Sequence, residues 1–236
     1  MTILFVSGTG TGVGKTVVTA AVASLALYRG ASVAVVKPAQ TGVPVDAAGD
    51  LADVTRLSGV GDVFELVRYP DPLSPAAAAR RSGLPTLDPA ALYDLVLGLQ
   101  HDLVFVEGAG GLLVRFDEDG ATLADFARAL HAPVLVVAEA GLGTLNHTAL
   151  TLEALAHRGV ELSGIVIGSW PAAPELAERS NLRDLETLAA RPLLGAVPAG
   201  AGSLPAAEFG DVARSGLGPQ LGGTFDAQAF RRSWEG

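Results

Sequence analysis

Residues 3–6 form a short apolar run that passes directly into Gly8-Thr9-Gly10-Thr11-Gly12-Val13-Gly14-Lys15-Thr16, and that loop runs into good helix formers over 16–29. Strand, glycine-rich loop and helix in that order admit few architectures, because the strand must join a sheet and the helix must pack back against it. The glycines let consecutive backbone N–H groups converge on phosphate oxygens, and the helix start adds its positive end. Lys15 is placed to reach the outer phosphates, and the Thr16 hydroxyl to ligate Mg²⁺. The stretch departs from the G-x-x-x-x-G-K-[ST] pattern in one place: Thr9 stands where the pattern has glycine, and Gly8 comes one residue early. A glycine-rich turn that merely joins strand to helix is the plain alternative. The complete Gly14-Lys15-Thr16 ending, in the required context, favours phosphate binding.

The rest of the chain repeats the alternation. Apolar runs predict strands over 33–36, 63–67, 103–106, 134–138, 164–167 and 193–197, most of them apolar throughout, as strands covered on both faces are. Helical patterns lie between them at 51–57, 122–130, 145–158, 174–190 and 226–234. Two more open at Ser74-Pro75 and Asp88-Pro89, where an N-cap residue precedes proline at the first helical position. The pattern predicts an α/β fold, a mainly parallel sheet of about seven strands with helices on both faces. With a phosphate loop after the first strand this is the P-loop NTPase fold, expected as one domain over residues 1–236. The segment 199–223 is loose in composition and too short for a domain of its own. Ligands of open parallel sheets bind at the carboxyl ends of the strands, so those loops are where function is sought.

Hydrophobic residues at 49% and charged residues at 17% exclude a disordered chain and put binding in a folded pocket. A net charge of -9 repels polyanions, which argues against nucleic acid and anionic membranes as partners. Without cysteine there is no disulfide, thiolate nucleophile or cysteine zinc site, and the four histidines do not fall at zinc-ligand spacings. The N-terminal residues lack the basic segment and long apolar core of a signal peptide, and no apolar run is long enough to span a bilayer. A cytoplasmic location is expected.

The sixteen basic residues are fourteen arginines and two lysines, Lys15 and Lys37. A chain that uses arginine for generic surface cations has kept lysine for special positions. Lys37 ends the second apolar run, at the same edge as the phosphate loop. A solvated strand-end charge is the ordinary reading of such a lysine, and the lysine usage argues against it. A compact ammonium suits charge developing on a transferred phosphoryl group or a carbamate better than the planar fork of arginine. Lys37 is therefore the first catalytic candidate, and strand register must turn it inward, since a shift of one residue reverses its facing.

Mg²⁺ bridging phosphates takes one or two carboxylates besides the loop hydroxyl. Glu107 emerges from the apolar run 103–106 into Gly108-Ala109-Gly110-Gly111, an acid at a strand end beside a glycine-rich loop. Asp50 and Asp53 flank the start of a predicted helix, where capping is the plain reading, and spacing does not choose between them. Asp117-Glu118-Asp119 reads as a solvated turn without chemistry. Gly141-Leu142-Gly143-Thr144-Leu145-Asn146-His147 joins a buried strand to a helix. It is either a second anion site, suited to a substrate carboxylate, or a helix start capped by Thr144.

Taken as an ordered set, the phosphate loop, Lys37-Pro38 with Gln40-Thr41-Gly42, Val106-Glu107-Gly108-Ala109-Gly110-Gly111 and the segment from Gly141 to His147 resemble the dethiobiotin synthetase family over residues 2 to about 198. The resemblance implies a homodimeric ligase of biotin synthesis. It converts 7,8-diaminononanoate and CO₂ or bicarbonate, with ATP, to dethiobiotin, ADP and phosphate. It also implies roles. Lys37 and Lys15 are catalytic. Gly12, Val13, Gly14, Lys15, Thr16, Val17, Asp50, Glu107, Gly108, Ala109 and Gly110 bind the nucleotide, with Thr16, Asp50 and Glu107 on Mg²⁺. Lys37 and Thr41 contact the substrate, and Gly143, Thr144, Leu145 and Asn146 receive its far carboxylate from the partner subunit. Gly168-Ser169 stands where well-known members have Asn-Asp, the Asn reading adenine, which leaves backbone to contact the base and does not fix the choice between ATP and CTP or another nucleoside triphosphate. Pro198, Ala199 and Gly200 align with the second base-contacting loop.

Three other readings share this machinery. A switch ATPase of the partitioning class carries a second lysine early in the loop, and none precedes Lys15. An amidotransferring cobyrinate-type synthetase needs a nucleophilic cysteine, which the sequence lacks. A small-metabolite kinase is separated only by its substrate.

Overall fold

The computed structural model describes residues 1–234. Its strands are β1 (Thr2–Gly8), β2 (Val33–Thr41), β3 (Asp62–Tyr69), β4 (Leu103–Gly111), β5 (Val134–Ala138), β6 (Leu162–Trp170) and β7 (Gly195–Pro198). They form one seven-stranded sheet in the order β3-β2-β4-β1-β5-β6-β7, every neighbouring pair parallel. All the predicted strands are present. β2 and β4 run past their predicted ends at 36 and 106 because polar and glycine residues keep ladder partners there, Gln40 opposite Arg68 and Gly111 opposite Gly8.

Helices α1 (Lys15–Tyr28), α2 (Asp50–Ser58) and α8 (Ala206–Gly216) cover one face. On the other lie α3 (Pro75–Ser82), α4 (Pro89–Gly98), α5 (Leu123–Ala129), α6 (Thr144–His157), α7 (Leu176–Ala189) and α9 (Ala227–Arg232). Strand alternation divides the core between them. Leu4, Val6, Val33, Val35, Phe105, Leu135 and Val137 face α1, and Phe5, Ala34, Val36, Val104, Val106, Val134 and Val136 face away from it. Both sets are buried, which is why the runs show no alternation in the sequence.

Asp88 caps α4, Thr122 and Asp125 form a capping box on α5, and Asp226 caps α9. Ser74 stands at the head of α3 without a capping bond. The segment 199–223, loose in composition, contains a helix that the sequence pattern did not predict, α8. Phe209 and Ala213 of that helix are buried and it packs on α1, while Gly210 and Gly216 dilute its helical signal. Tertiary packing supplies what propensity does not. No described helix is long and apolar enough to cross a membrane.

The order in which strands are added reverses beside β1: β2 and β3 lie to one side, β5, β6 and β7 to the other, and β4 is inserted between β1 and β2. The loops leaving β1, β2 and β4 therefore meet in one crevice at the carboxyl edge.

Candidate active site

Backbone crowding shapes the phosphate loop. Gly12 and Gly14 have φ of 77° and 96°, where residues with a Cβ are strained. A Cβ on Gly8 would lie 2.7 Å from the Gly10 carbonyl oxygen, so the early glycine is the one the turn needs. A Cβ on Gly14 would lie 2.6 Å from the carbonyl oxygen of Gly168, and one on Gly168 2.0 Å from that of Val13. Loop and β6 are in backbone contact, and Gly168 has no room for a side chain.

Register brings the charged groups together. Val36 pairs with Val106, and Val6 with Glu107, so Lys37 and Glu107 end neighbouring strands beside β1. Lys37 shares the facing of Val33 and Val35, and Glu107 that of Phe105, so both project to the α1 side where Thr16 begins that helix. Lys37 Nζ lies 2.8 Å from Glu107 Oε1 and 2.5 Å from Asp50 Oδ2, and donates to the Gly108 carbonyl at 3.1 Å. Thr16 Oγ1 donates to the same Glu107 Oε1 at 2.9 Å.

Lys37 is 2% exposed and Glu107 fully buried. Burial drives an ammonium toward neutrality, but the charges of Glu107 and Asp50 and their hydrogen bonds outweigh it and hold Lys37 above its ordinary value. Lys15 is pushed down to about 8, first by burial and then by the charge of Lys37, against the pull of Glu107 and Asp50. Its Nζ donates to the Gly10 carbonyl at 2.9 Å. A polyanion bound beside these two ammoniums would offset the cost of holding them charged. Glu107 Oε2 is buried with no hydrogen-bond partner among the described residues, an orphan oxygen that a hard cation would satisfy.

Asp50 is delivered to Lys37 by a clamp. Its N–H donates to Gln40 Oε1 at 2.9 Å, while Arg68 donates to the carbonyls of Pro44 and Ala47 at 3.1 and 2.6 Å. A Cβ on Gly49 would lie within 3 Å of both Gln40 Oε1 and Arg68 Nη2, so the clamp closes on glycine. Asp53 instead pairs with Arg56 on the surface. Sequence reasoning quoted Gln40 only as part of a motif and passed over Arg68. The signal was weak, an arginine near the end of an edge strand that register alone sets opposite Gln40.

A cavity of about 740 Å³ opens above these groups. Of the expected residues, Gly12, Gly14, Lys15, Thr16, Val17, Lys37, Thr41, Asp50, Ala109 and Gly110 line it, beside the less polar Pro72, Leu73, Pro75 and Val114. Glu107, Gly108 and Val13 are buried and do not line it. Gly168, Ser169, Pro198, Ala199 and Gly200 lie outside it, at the ends of β6 and β7, where the Ala199 N–H donates to the Trp170 carbonyl at 2.7 Å. Arg56 donates to the carbonyls of Gly202 and Leu204 and so ties α2 to the next turn.

Gly143, Thr144, Leu145 and Asn146 also lie outside the cavity, at the head of α6. Thr144 does not cap that helix: it is fully buried and its hydroxyl donates to the Glu139 carbonyl at 2.7 Å. Gly143, with φ 95°, is the N-cap and offers no side-chain acceptor to the first turn. The acidic run 117–119 forms a turn, but Asp117 is buried and accepts from the N–H groups of Gly120 and Ala121, both at 2.8 Å.

A family model described as an AAA domain matches residues 2–204. The chain is 64% identical over 236 residues to the ATP-dependent dethiobiotin synthetase of Parafrankia sp. (strain EAN1pec), covering 99% of each. It is 65% identical to that of Frankia casuarinae, covering 100% of both, and 59% identical to that of Streptomyces coelicolor, covering 98% of both. Among solved structures, the septum site-determining protein MinD of Pyrococcus horikoshii, complexed with Mg-ADP, matches at TM-score 0.58 and 19% identity, covering 99% of this chain and 94% of that one. That likeness concerns the fold alone. On its full-length identity to these synthetases, the chain belongs to the ATP-dependent dethiobiotin synthetase family, ligases of biotin synthesis that form carbon–nitrogen bonds.

Proposed function

We propose that this synthetase closes the ureido ring of dethiobiotin over the floor formed by Lys37, Glu107, Asp50 and Thr16. The observation that carries the reading is the buried Lys37 ammonium, held between two carboxylates beside the phosphate loop. One amine of 7,8-diaminononanoate adds to CO₂, forming a C–N bond and losing a proton, to give a carbamate. A carbamate oxygen attacks the γ-phosphorus of ATP as the bond to the bridging oxygen breaks, and ADP leaves. The second amine attacks the carbonyl carbon of the mixed anhydride and loses a proton, and phosphate departs as the ring closes.

Negative charge builds on carbamate and phosphoryl oxygens, and Lys37 is preorganised to meet it, because Glu107 and Gly108 hold its position in advance. Lys15 and the loop N–H groups hold the outer phosphates. Thr16 Oγ1, Glu107 Oε2 and Asp50 are the groups that would hold Mg²⁺, which supplies charge neutralisation on the phosphates. Thr41 contacts the diamine, and Pro72, Leu73 and Val114 offer apolar surface to its alkyl chain. Its far carboxylate goes to the uncapped head of α6, Gly143 to Asn146, of the second subunit in a homodimer. Gly168, Ser169, Pro198, Ala199 and Gly200 offer backbone to the base, which admits CTP as well as ATP. Residues 1–236 act as one domain, in the cytoplasm.

The test is phosphate release with Mg²⁺ and ATP or CTP, with and without diaminononanoate and bicarbonate, beside Lys37→Ala. Release that needs both co-substrates and is lost in the variant is expected. Release indifferent to the diamine would return the chain to a switch ATPase or a small-metabolite kinase.

A further inference from the structure

Trp170 ends β6 and joins three parts of the molecule. Its carbonyl accepts from Ala199, which ties β6 to the turn at 198–200. Two residues earlier, Gly168 is in backbone contact with the phosphate loop. The Trp170 side chain, 5% exposed, is held by the C-terminal segment: the rings of Phe230 and Trp234 lie 5.1 and 5.8 Å away, and Phe230 meets Phe225 at 5.0 Å. The indole N–H groups of Trp170 and Trp234 have no acceptor among the described residues, so ring contact holds this cluster. α9 is six residues long with no buried residue of its own, too short to persist alone. Besides the Asp226 cap and an ion pair from Arg231 to Glu186, its order depends on what it packs against. What Phe230 and Trp234 pack against is the residue that links the two base-side loops.

We infer that α9 and Trp234 form an aromatic latch which, through Trp170, positions the nucleobase wall made by the backbone of 168–170 and 198–200. The inference rests on the reading that those two segments face the base. A wall made of backbone has no side chain with which to adjust its distance to the ligand, so the place where β6 and β7 end sets the contact. Phe230 and Trp234 are positioning residues, outside the cavity that holds Lys15 and Lys37. Without the latch Trp170 and the turn at 198–200 shift, while Gly168, seated against the phosphate loop, and the charged floor stay as they are.

The experiment compares Phe230→Ala/Trp234→Ala with Trp234→Phe and Ala199→Trp in the full chain. The readouts are KM and Kd for ATP, KM for diaminononanoate, kcat at saturation, and inhibition by inorganic tripolyphosphate, which carries phosphates without a base. The double variant is expected to raise ATP KM and Kd about tenfold, with kcat, diamine KM and tripolyphosphate inhibition within about twofold of the parent. Trp234→Phe, which keeps a ring on Trp170, is expected to stay close to the parent. Equal weakening of ATP and tripolyphosphate would show general loosening and overturn the latch, as would an unchanged ATP affinity. Ala199→Trp fills the wall and leaves Phe230 and Trp234 in place. If it leaves ATP KM unchanged, the base-wall reading itself fails; if it raises KM while the double variant does not, only the latch fails.

Discussion

At the phosphate end of the site, Lys37, Glu107, Asp50 and Thr16 are locked by side-chain contacts of 2.5 to 2.9 Å on a mostly buried floor. At the proposed base end, where β6 and β7 finish, Ser169, Pro198, Ala199 and Gly200 are exposed and none carries a charge. The first region holds opposite charges out of water, where each depends on the others, and removing one leaves a costly unpaired group. The second has no charge to lose and is placed by strand ends and by a remote aromatic cluster. Substitutions at the phosphate end should therefore act on kcat, metal dependence and stability, and those at the base end on nucleotide KM.

The largest expected effect is that of Lys37→Ala. It should lower kcat about a thousandfold and, by stranding buried Glu107, cost about 3 kcal/mol in urea unfolding without ligand. A variant that lost activity at unchanged stability would mean that the carboxylates do not depend on the ammonium. Glu107→Gln keeps the shape and removes the charge. The Mg²⁺ concentration for half-maximal phosphate release should rise about 10- to 100-fold, and an unchanged Mg²⁺ requirement would remove Glu107 from the metal site.

Gly168→Ala tests the seam between the two ends. Its Cβ would meet the Val13 carbonyl at 2.0 Å, so the loop or β6 must shift, and we expect about 1–3 kcal/mol of destabilisation. ATP KM should rise with it. Gly200→Ala is the open counterpart: φ is 82° but nothing lies within 4 Å, so only backbone strain of about 1 kcal/mol is expected. If both variants behaved alike in ATP KM, the seam would be no tighter than the wall.

The smallest effect lies at the opposite edge of the sheet, where Asp102 accepts from the N–H and hydroxyl of Ser32, both at 2.8 Å. These bonds hold its carboxyl below the ordinary range. A depressed carboxylate contributes stability above its unfolded pKa and loses it as pH falls through the folded value. Asp102→Asn should thus be slightly less stable than the parent at neutral pH, with the gap closing in acid and no change in any KM. A gap that persisted in acid would point to packing instead.

Much of this was legible in the sequence because it is local. Seven runs give seven strands, and those inside the sheet are apolar along their length because they are buried on both faces, while the edge strand β3 carries Glu65 and Arg68. Proline after Asp88 and the Thr122 cap mark helix starts, since a terminus must satisfy its own N–H groups. The Gly14-Lys15-Thr16 ending identifies the phosphate loop, and two lysines among sixteen basic residues single out Lys37. α8 was missed because glycines break its period, and Thr144 because the sequence does not show whether a hydroxyl turns to its own helix or back to the preceding strand.

By itself, then, the sequence determined the alternation of strands and helices, the phosphate loop and the residue types available for chemistry, all of which follow from backbone conformation and near neighbours. Tertiary structure alone decided what depends on contacts between distant segments. It paired Asp50 with Lys37 and Asp53 with Arg56, set Gln40 and Arg68 as a clamp, left Gly168 no room for a side chain, and put Trp234 on Trp170. The physical reason is register. Which residues meet across a parallel sheet depends on how far each strand slides against its neighbour, and that sliding is settled by the packed core on both faces.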